Sequence, residues 1–353
     1  MKEYGNVSAT AHGRLMELIA EQSNECILRV RHGASWWEGS NRSSLESNID
    51  APRSPAFRTA SITKTFTAAL VLLLIEEGRL TLDTCLGAHL PSEICRSIHI
   101  FEGTIYGPRI TVAQLLRHRS GVFDYATSPL FFEHVVKNPR RKWSPRELLN
   151  EAVLAGDPYF RPDEDFAYSD TGYVLLAMIL EAVTDLPLAT LYRDRLLDPL
   201  RLEQTYLEGC EPSVDWPLSQ AFKGAIDTSG FDPSFDTFGG GGLVSTAADL
   251  DRFISRLMDG SIFSRKETLS AMMEGTEAPA GTGTRKTRSA AGLSAFSIAD
   301  HLFWGHLGHW NSFMLHSIEQ DISICGTFNQ ADEDLRHKRV LEAAVNEGLM
   351  WQR

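Results

Sequence analysis

Phe57-Arg58-Thr59-Ala60-Ser61-Ile62-Thr63-Lys64 leads into the longest apolar run of the chain, residues 66–75, which closes before Gly78. A run of ten residues, nine of them apolar, is too short to cross a bilayer, so it predicts a buried helix that opens near Ser61 and ends at a glycine suited to the position after a helix. Ser61 and Lys64 stand three residues apart at its start. Residues at that spacing share a helix face, with Cβ atoms roughly 5–6 Å apart. A lysine that is partly desolvated loses its charge more easily and can accept a hydroxyl proton. The free N–H groups of a helix N-terminus also favour a developing oxyanion. The pattern Ser-x-x-Lys recurs by chance, and its plainer reading is a capped helix with a solvated lysine. The strongly apolar run that follows is what anchors this helix start in a core.

Outward from this segment, the two ends of the chain read as strands and the middle reads as helices. Residues 11–22 predict an amphipathic helix with Leu15, Leu18 and Ile19 on one face, and 25–31 alternate as a strand. Trp36 and Trp37 suggest a second strand, and the Ser-, Asn- and Pro-rich stretch 39–55 reads as loop. Thr111 precedes a short helix over 112–117, Pro145 follows Ser144 at another helix start, and 173–184 is a third apolar helix with Ser169, Asp170 and Thr171 as candidate caps. Four glycines occupy 239–242, and Thr246 with Asp249 has the capping-box form for a helix to about residue 258. Residues 275–290 read as an exposed loop. Strand-like runs over 291–299, 302–316 (with a turn inside) and 322–329 follow, and a helix over 332–349 closes the chain. The fold class is therefore α+β, with a sheet built from both termini (1–79 and 236–353) and an inserted, mainly helical domain (80–235).

A chain of 353 residues with 43% hydrophobic and 23% charged residues can bury a full core. A formal net charge of −12 argues against nucleic acid as a partner and gives no support for an electrostatic membrane anchor. The five cysteines, Cys26, Cys85, Cys95, Cys210 and Cys325, are odd in number and lack zinc-ligand spacing, so reduced thiols and a cytoplasmic location are expected. No secretory leader is visible after Met1. His301, His306, His309 and His316 lack the spacing of a metal motif, and no metal or cofactor is expected. The glycine run is not a dinucleotide fingerprint and is expected to serve close backbone packing. Arg140, Arg141 and Lys142 read as a solvated charge run.

Six segments, in order, resemble the serine β-lactamase and penicillin-binding-protein-like family, in particular its class C β-lactamase, D-aminopeptidase, D-amino-acid amidase and esterase branch. They are the nucleophile segment 57–64; Glu77-Gly78-Arg79-Leu80-Thr81-Leu82-Asp83; Leu115-Leu116-Arg117-His118-Arg119-Ser120-Gly121; Tyr168-Ser169-Asp170, where the family has Tyr-x-Asn; Gly241-Gly242-Leu243-Val244-Ser245-Thr246; and His306-Leu307-Gly308, similar to the family's Lys-Thr-Gly or His-x-Gly strand motif. Lys286-Thr287-Arg288 imitates that last motif but lacks its glycine and falls in the expected polar loop. The resemblance implies an antiparallel sheet flanked by helices, with the active site between sheet and helical insertion.

By resemblance, Ser61, Lys64 and Tyr168 would be catalytic, and Asp170, His306, Gly308 and His309 would meet the substrate. The N–H groups of Ser61 and His309 would form an oxyanion hole. Whether Lys64 or Tyr168 takes the proton first stays open. Asp170 either orients Lys64 as a counter-ion or caps the following helix. His306 could donate to substrate or to Tyr168, and in place of lysine it is a poor anchor for a penicillin-type carboxylate. The implied activity is amide hydrolysis through an acyl-enzyme, on D-amino-acid amides or D-residue peptides. A carboxylesterase, an acyltransferase or peptide cyclase, a β-lactamase and an inactive binding protein of the same fold are the alternatives. The partner is a small-molecule or peptide substrate.

Overall fold

The computed structural model describes residues 6–22, 24–42, 55–214, 216–275, 285–331 and 335–352. Alternating apolar residues at the two chain ends meet in one seven-stranded antiparallel sheet. Its strands are β1 (Ile27–His32), β2 (Ser35–Ser40), β3 (Arg285–Ser289), β4 (Ser294–Ile298), β5 (His301–Leu307), β6 (Ser312–Ser317) and β7 (Ile322–Thr327), in the spatial order β3-β4-β5-β6-β7-β1-β2. The join between the termini is the β1–β7 pairing, with Ile27 opposite Thr327 and Val30 opposite Ile324.

Period-2 alternation divides this sheet between two cores. Leu28, Val30, Phe313, Leu315, Ile322 and Ile324 face α1 (Ala9–Ala20) and the C-terminal helix Leu335–Leu349, whose Leu15, Ile19, Leu341 and Val345 complete one buried cluster. The opposite face gives Ile27, Trp304, Met314 and Cys325 to a larger cluster. That cluster also holds α2 (Thr63–Glu76), α3 (Val112–Leu116), α4 (Pro129–Lys137), α5 (Pro145–Ala155), α6 (Asp170–Thr184) and α7 (Ala247–Met258). Helix α2 is buried on nearly every side, as an all-apolar helix must be. Its polar exceptions are satisfied internally: Thr65 donates to the Gly292 carbonyl and Thr67 to that of Gly239, both at 2.7 Å.

Local chemistry sets the helix starts. Thr111 with Gln114 and Ser144 with Glu147 form reciprocal capping boxes. Thr246 accepts from the Asp249 N–H at 3.2 Å, but the Asp249 carboxylate turns away to Gln204 and Thr205, so only half of the expected box exists. The stretch 285–289 corrects the expected loop: it is the edge strand β3, with a register shift between Lys286 and Arg288. Charged residues and a bulge are typical of a protected sheet edge, and the same polar composition had suggested loop. Lys286-Thr287-Arg288 thus lies on β3, two strands from His306 on β5. The expected helix start at 332–334 and most of the loop over 39–55 lie outside the described residues. All five thiols are unpaired. Among the described residues no single helix is long and apolar enough to cross a membrane.

Two ion pairs that share a buried carboxylate tie α7 to the sheet. Asp251 receives Nε of Arg29 at 2.9 Å and Nε of Arg31 at 3.0 Å, and Ser323 also donates to it. Burial would raise the Asp251 carboxyl, but Arg29 and Arg31 hold it below the ordinary range. Removing one member of a buried pair strands the others. Asp251→Ala is therefore expected to cost about 3–5 kcal/mol, read from urea unfolding at pH 7.

Candidate active site

Ser61 occupies a single 3-10 turn, Ala60–Ile62, that runs straight into α2. Ala60 has φ +47°, a conformation side chains disfavour, which marks a tight bend just before the nucleophile candidate. One turn on, Lys64 is fully buried. Its three ammonium hydrogens find three acceptors: Ser61 Oγ at 3.0 Å, the Gly240 carbonyl at 2.7 Å and Asp170 Oδ1. Burial would push this lysine down, but the Asp170 carboxylate and then Tyr168 outweigh it, and the ammonium is held well above the ordinary lysine range. The resting lysine is a cation.

Asp170 is the first residue of α6. The cap of that helix is Ser169, whose hydroxyl accepts from the Gly172 N–H, so the Asp170 carboxylate is spent on Lys64. Tyr168 precedes them, and the Lys64 ammonium lies 4.9 Å from the centroid of its ring. Its proton is held firmly: burial raises the phenol, Lys64 lowers it, and Asp170 raises it again. His118, at φ +55°, stacks on the Tyr168 ring with centroids 4.4 Å apart. It also brackets that segment: its Nδ1 accepts from the Ser169 N–H at 3.1 Å and its carbonyl from the Ala167 N–H at 3.0 Å. The signature containing His118 was visible in the sequence; its role as the clamp on Tyr168 was not.

The glycine run packs against this cluster. A Cβ on Gly240 would meet Asp170 Oδ1 at 2.8 Å, and one on Gly241 would overlap the Asp236 carboxylate. Glycine is thus what admits two carboxylates beside Lys64.

Asp170 sets the charge state of both base candidates, so Asp170→Asn has a signed effect on pH dependence. An opposite charge in contact favours the charged lysine, and the same negative charge disfavours the phenolate. Removing it lets Lys64 and Tyr168 each lose a proton at lower pH. The acid limb of the kcat/KM profile is expected to move to lower pH in Asp170→Asn, whichever of the two is the base; an unmoved limb would remove Asp170 from this role.

The remaining sequence candidates divide. His309 lines the cavity beside Ser61, in the turn after β5, which ends at Leu307, in keeping with the turn expected inside 302–316. Gly308 is in the same turn. Its N–H donates to the Ser312 carbonyl at 2.7 Å, and a Cβ there would overlap the Ser312 hydroxyl and the Thr59 carbonyl. The glycine therefore lets the turn close on the strand that leads to Ser61, rather than clearing room for substrate. His306 is buried, with its Nδ1 2.7 Å from the Leu307 carbonyl and its ring 6.3 Å from that of Tyr168. It stands behind Tyr168, outside the lining of the cavity.

That cavity, about 300 Å³, opens on Ser61. Its apolar wall includes Phe131, Phe231, Phe235 and Trp310, and its acidic wall is Asp124, Asp170 and Asp236. Asp124 accepts from the Ala126 and Asp170 N–H groups, both at 3.1 Å. Burial first, and the charge of Asp170 second, push Asp124 and Asp236 each up to about 7. Neither carboxylate nor any of the aromatic residues carried a signal in the sequence. They come from separate loops and helices with no common spacing.

Ser61, Lys64 and Tyr168 thus meet at a helix start, between an antiparallel sheet and a helical layer, with Lys64 fully buried. The family model described as Beta-lactamase matches residues 27–347, and the chain belongs to that family. A D-stereospecific amidohydrolase from Streptomyces sp. superposes with a TM-score of 0.80 at 26% identity, covering 94% of this chain and 98% of that one. A D-aminopeptidase of Gluconobacter oxydans (strain 621H) is 24% identical over 325 residues, 90% of this chain and 56% of that protein. The Protein flp of Staphylococcus aureus (strain MW2) is 29% identical over 182 residues, 51% of this chain. The match spans only 34% of the length of that protein.

Proposed function

We propose that this chain is an amidohydrolase that cleaves D-amino-acid amides, or short peptides beginning with a D-residue, through an acyl-enzyme on Ser61. The observation that carries the reading is the contact of the Lys64 ammonium with Ser61 Oγ at 3.0 Å, at the edge of a cavity with one acidic and one aromatic wall. The similar proteins described as a D-stereospecific amidohydrolase and a D-aminopeptidase support it. With both members protonated at rest, the Lys64–Tyr168 pair first releases one proton to solvent; Ser61 Oγ then attacks the amide carbonyl and its proton takes the place so vacated. The C–N bond then breaks, with that proton delivered to the leaving amine. Water attacks the ester so formed and frees Ser61. The oxyanion would be met by the N–H groups of Ser61 and His309, both at the cavity.

Substrate recognition follows from the walls. Asp124, Asp170 and Asp236 favour a cationic group next to the reacting carbonyl, which the α-ammonium of an amino-acid amide supplies, and the aromatic wall suits an apolar side chain. D- and L-phenylalanine amide, compared with a short-chain nitrophenyl ester, test the reading. Turnover of the D-amide with little of the L-amide is expected. Ester turnover with no D-amide turnover would make the chain a carboxylesterase instead.

A further inference from the structure

We infer that the Asp236 carboxylate is the group that reads the free α-ammonium of the substrate, which confines cleavage to the N-terminal residue and shuts out N-acylated amides and peptides. The inference rests on the amidohydrolase reading and deepens it, because it singles out one of the three wall carboxylates as the specificity-determining residue. The other two are engaged. Asp170 holds the Lys64 ammonium, and Asp124 accepts the Ala126 and Asp170 N–H groups. From the described residues, no hydrogen bond or ion pair reaches the Asp236 carboxylate. The two cations whose charge it feels, Lys64 and Arg58, are both committed elsewhere. Lys64 donates to Ser61, Gly240 and Asp170. Arg58 grips Glu208 through Nε at 2.7 Å and Nη2 at 2.8 Å, and donates to the Thr228 and Ser229 carbonyls.

The backbone nevertheless holds Asp236 in place. It follows a 3-10 turn, Pro233–Phe235, whose cap Asp232 accepts from the Ser234 N–H at 3.0 Å, and its own N–H donates to the Pro233 carbonyl at 3.0 Å. Ser234 Oγ accepts the Trp143 N–H at 2.7 Å, and the Tyr125 hydroxyl donates to the Phe235 carbonyl at 3.3 Å, so two other segments brace the turn. The carboxylate lies against Gly241, where a Cβ would come within 2.1 Å of Oδ2 and 2.3 Å of Oδ1. Asp236 lines the cavity with Ser61, and so do Phe231 and Phe235 of the same loop. One loop thus presents an ammonium acceptor and an apolar surface, the two kinds of partner that the substituents of an amino-acid α-carbon need. A partly buried carboxylate beside another negative charge carries a penalty while it is unpaired. A substrate ammonium relieves that penalty through a charge-assisted hydrogen bond. An N-acyl group instead brings a neutral N–H and sets its own carbonyl oxygen against a wall of acceptors.

Three amides measure the effect: D-phenylalanine amide, its N-acetyl derivative, and 3-phenylpropanamide, which lacks only the ammonium group. In the wild-type chain, kcat/KM is expected to favour D-phenylalanine amide over both of the others. Asparagine keeps the shape of Asp236 and removes its charge, so in Asp236→Asn each of these ratios is expected to fall by about tenfold or more. In Asp124→Asn each ratio is expected to stay within about threefold of wild type. Wild-type ratios near one, ratios that survive in Asp236→Asn, or a fall in Asp124→Asn as large as that in Asp236→Asn would overturn the inference. If none of the amides turns over, the amidohydrolase reading fails by itself. The ratio for D-phenylalanine methyl ester over methyl 3-phenylpropanoate, wild type against Asp236→Asn, then decides the role of Asp236.

Discussion

Lys64→Met is expected to lower kcat/KM for every acylating substrate by about 10³-fold or more. Lys64 contacts both Ser61 Oγ and the Asp170 carboxylate, and methionine keeps its length while removing its charge and its protons. The loss extends to ester substrates, because the Ser61 proton must leave in acylation whatever the leaving group. The same substitution strands Asp170 and the Gly240 carbonyl. Breaking a buried pair in this way costs about 3–5 kcal/mol, so activity is to be measured below the melting temperature of the variant, with folding followed by near-UV circular dichroism. A folded Lys64→Met chain with activity within tenfold of wild type would contradict the role given to Lys64.

Tyr168→Phe is expected to lower kcat/KM by about 10²–10⁴-fold while leaving the fold in place. The ring stacks on His118 and keeps that contact as phenylalanine; only the hydroxyl is lost. Amides are expected to suffer more than nitrophenyl esters. An amine must be protonated to leave, whereas a nitrophenolate leaves unaided, so an ester-to-amide ratio that rises in the variant identifies Tyr168 with proton delivery. Equal losses on both substrates would restrict it to activating Ser61.

The helix that carries Ser61 and Lys64 was legible because burial, spacing and a terminal glycine all lie within one continuous run, residues 61–78. The sheet from both termini was legible from alternation, except at β3, where the charges that protect an edge imitate a loop. The meeting of Lys64 with Asp170 crosses 106 residues, and only the family resemblance put Tyr168 and Asp170 near the nucleophile. The choice left open for Asp170, counter-ion or cap, is decided by Ser169 taking the cap. The cavity walls were not legible. Asp124, Phe131, Lys223, Asp236 and Trp310 come from different segments, and what unites them is a shared space rather than a spacing.

The most direct test of the account is the mass of the intact protein after reaction with a fluorophosphonate serine probe. One probe adduct is predicted on the wild type, mapped by peptide fragmentation to Ser61, and none on Ser61→Ala. An unmodified wild type, or an adduct that persists in Ser61→Ala, would contradict the assignment of Ser61 as the nucleophile.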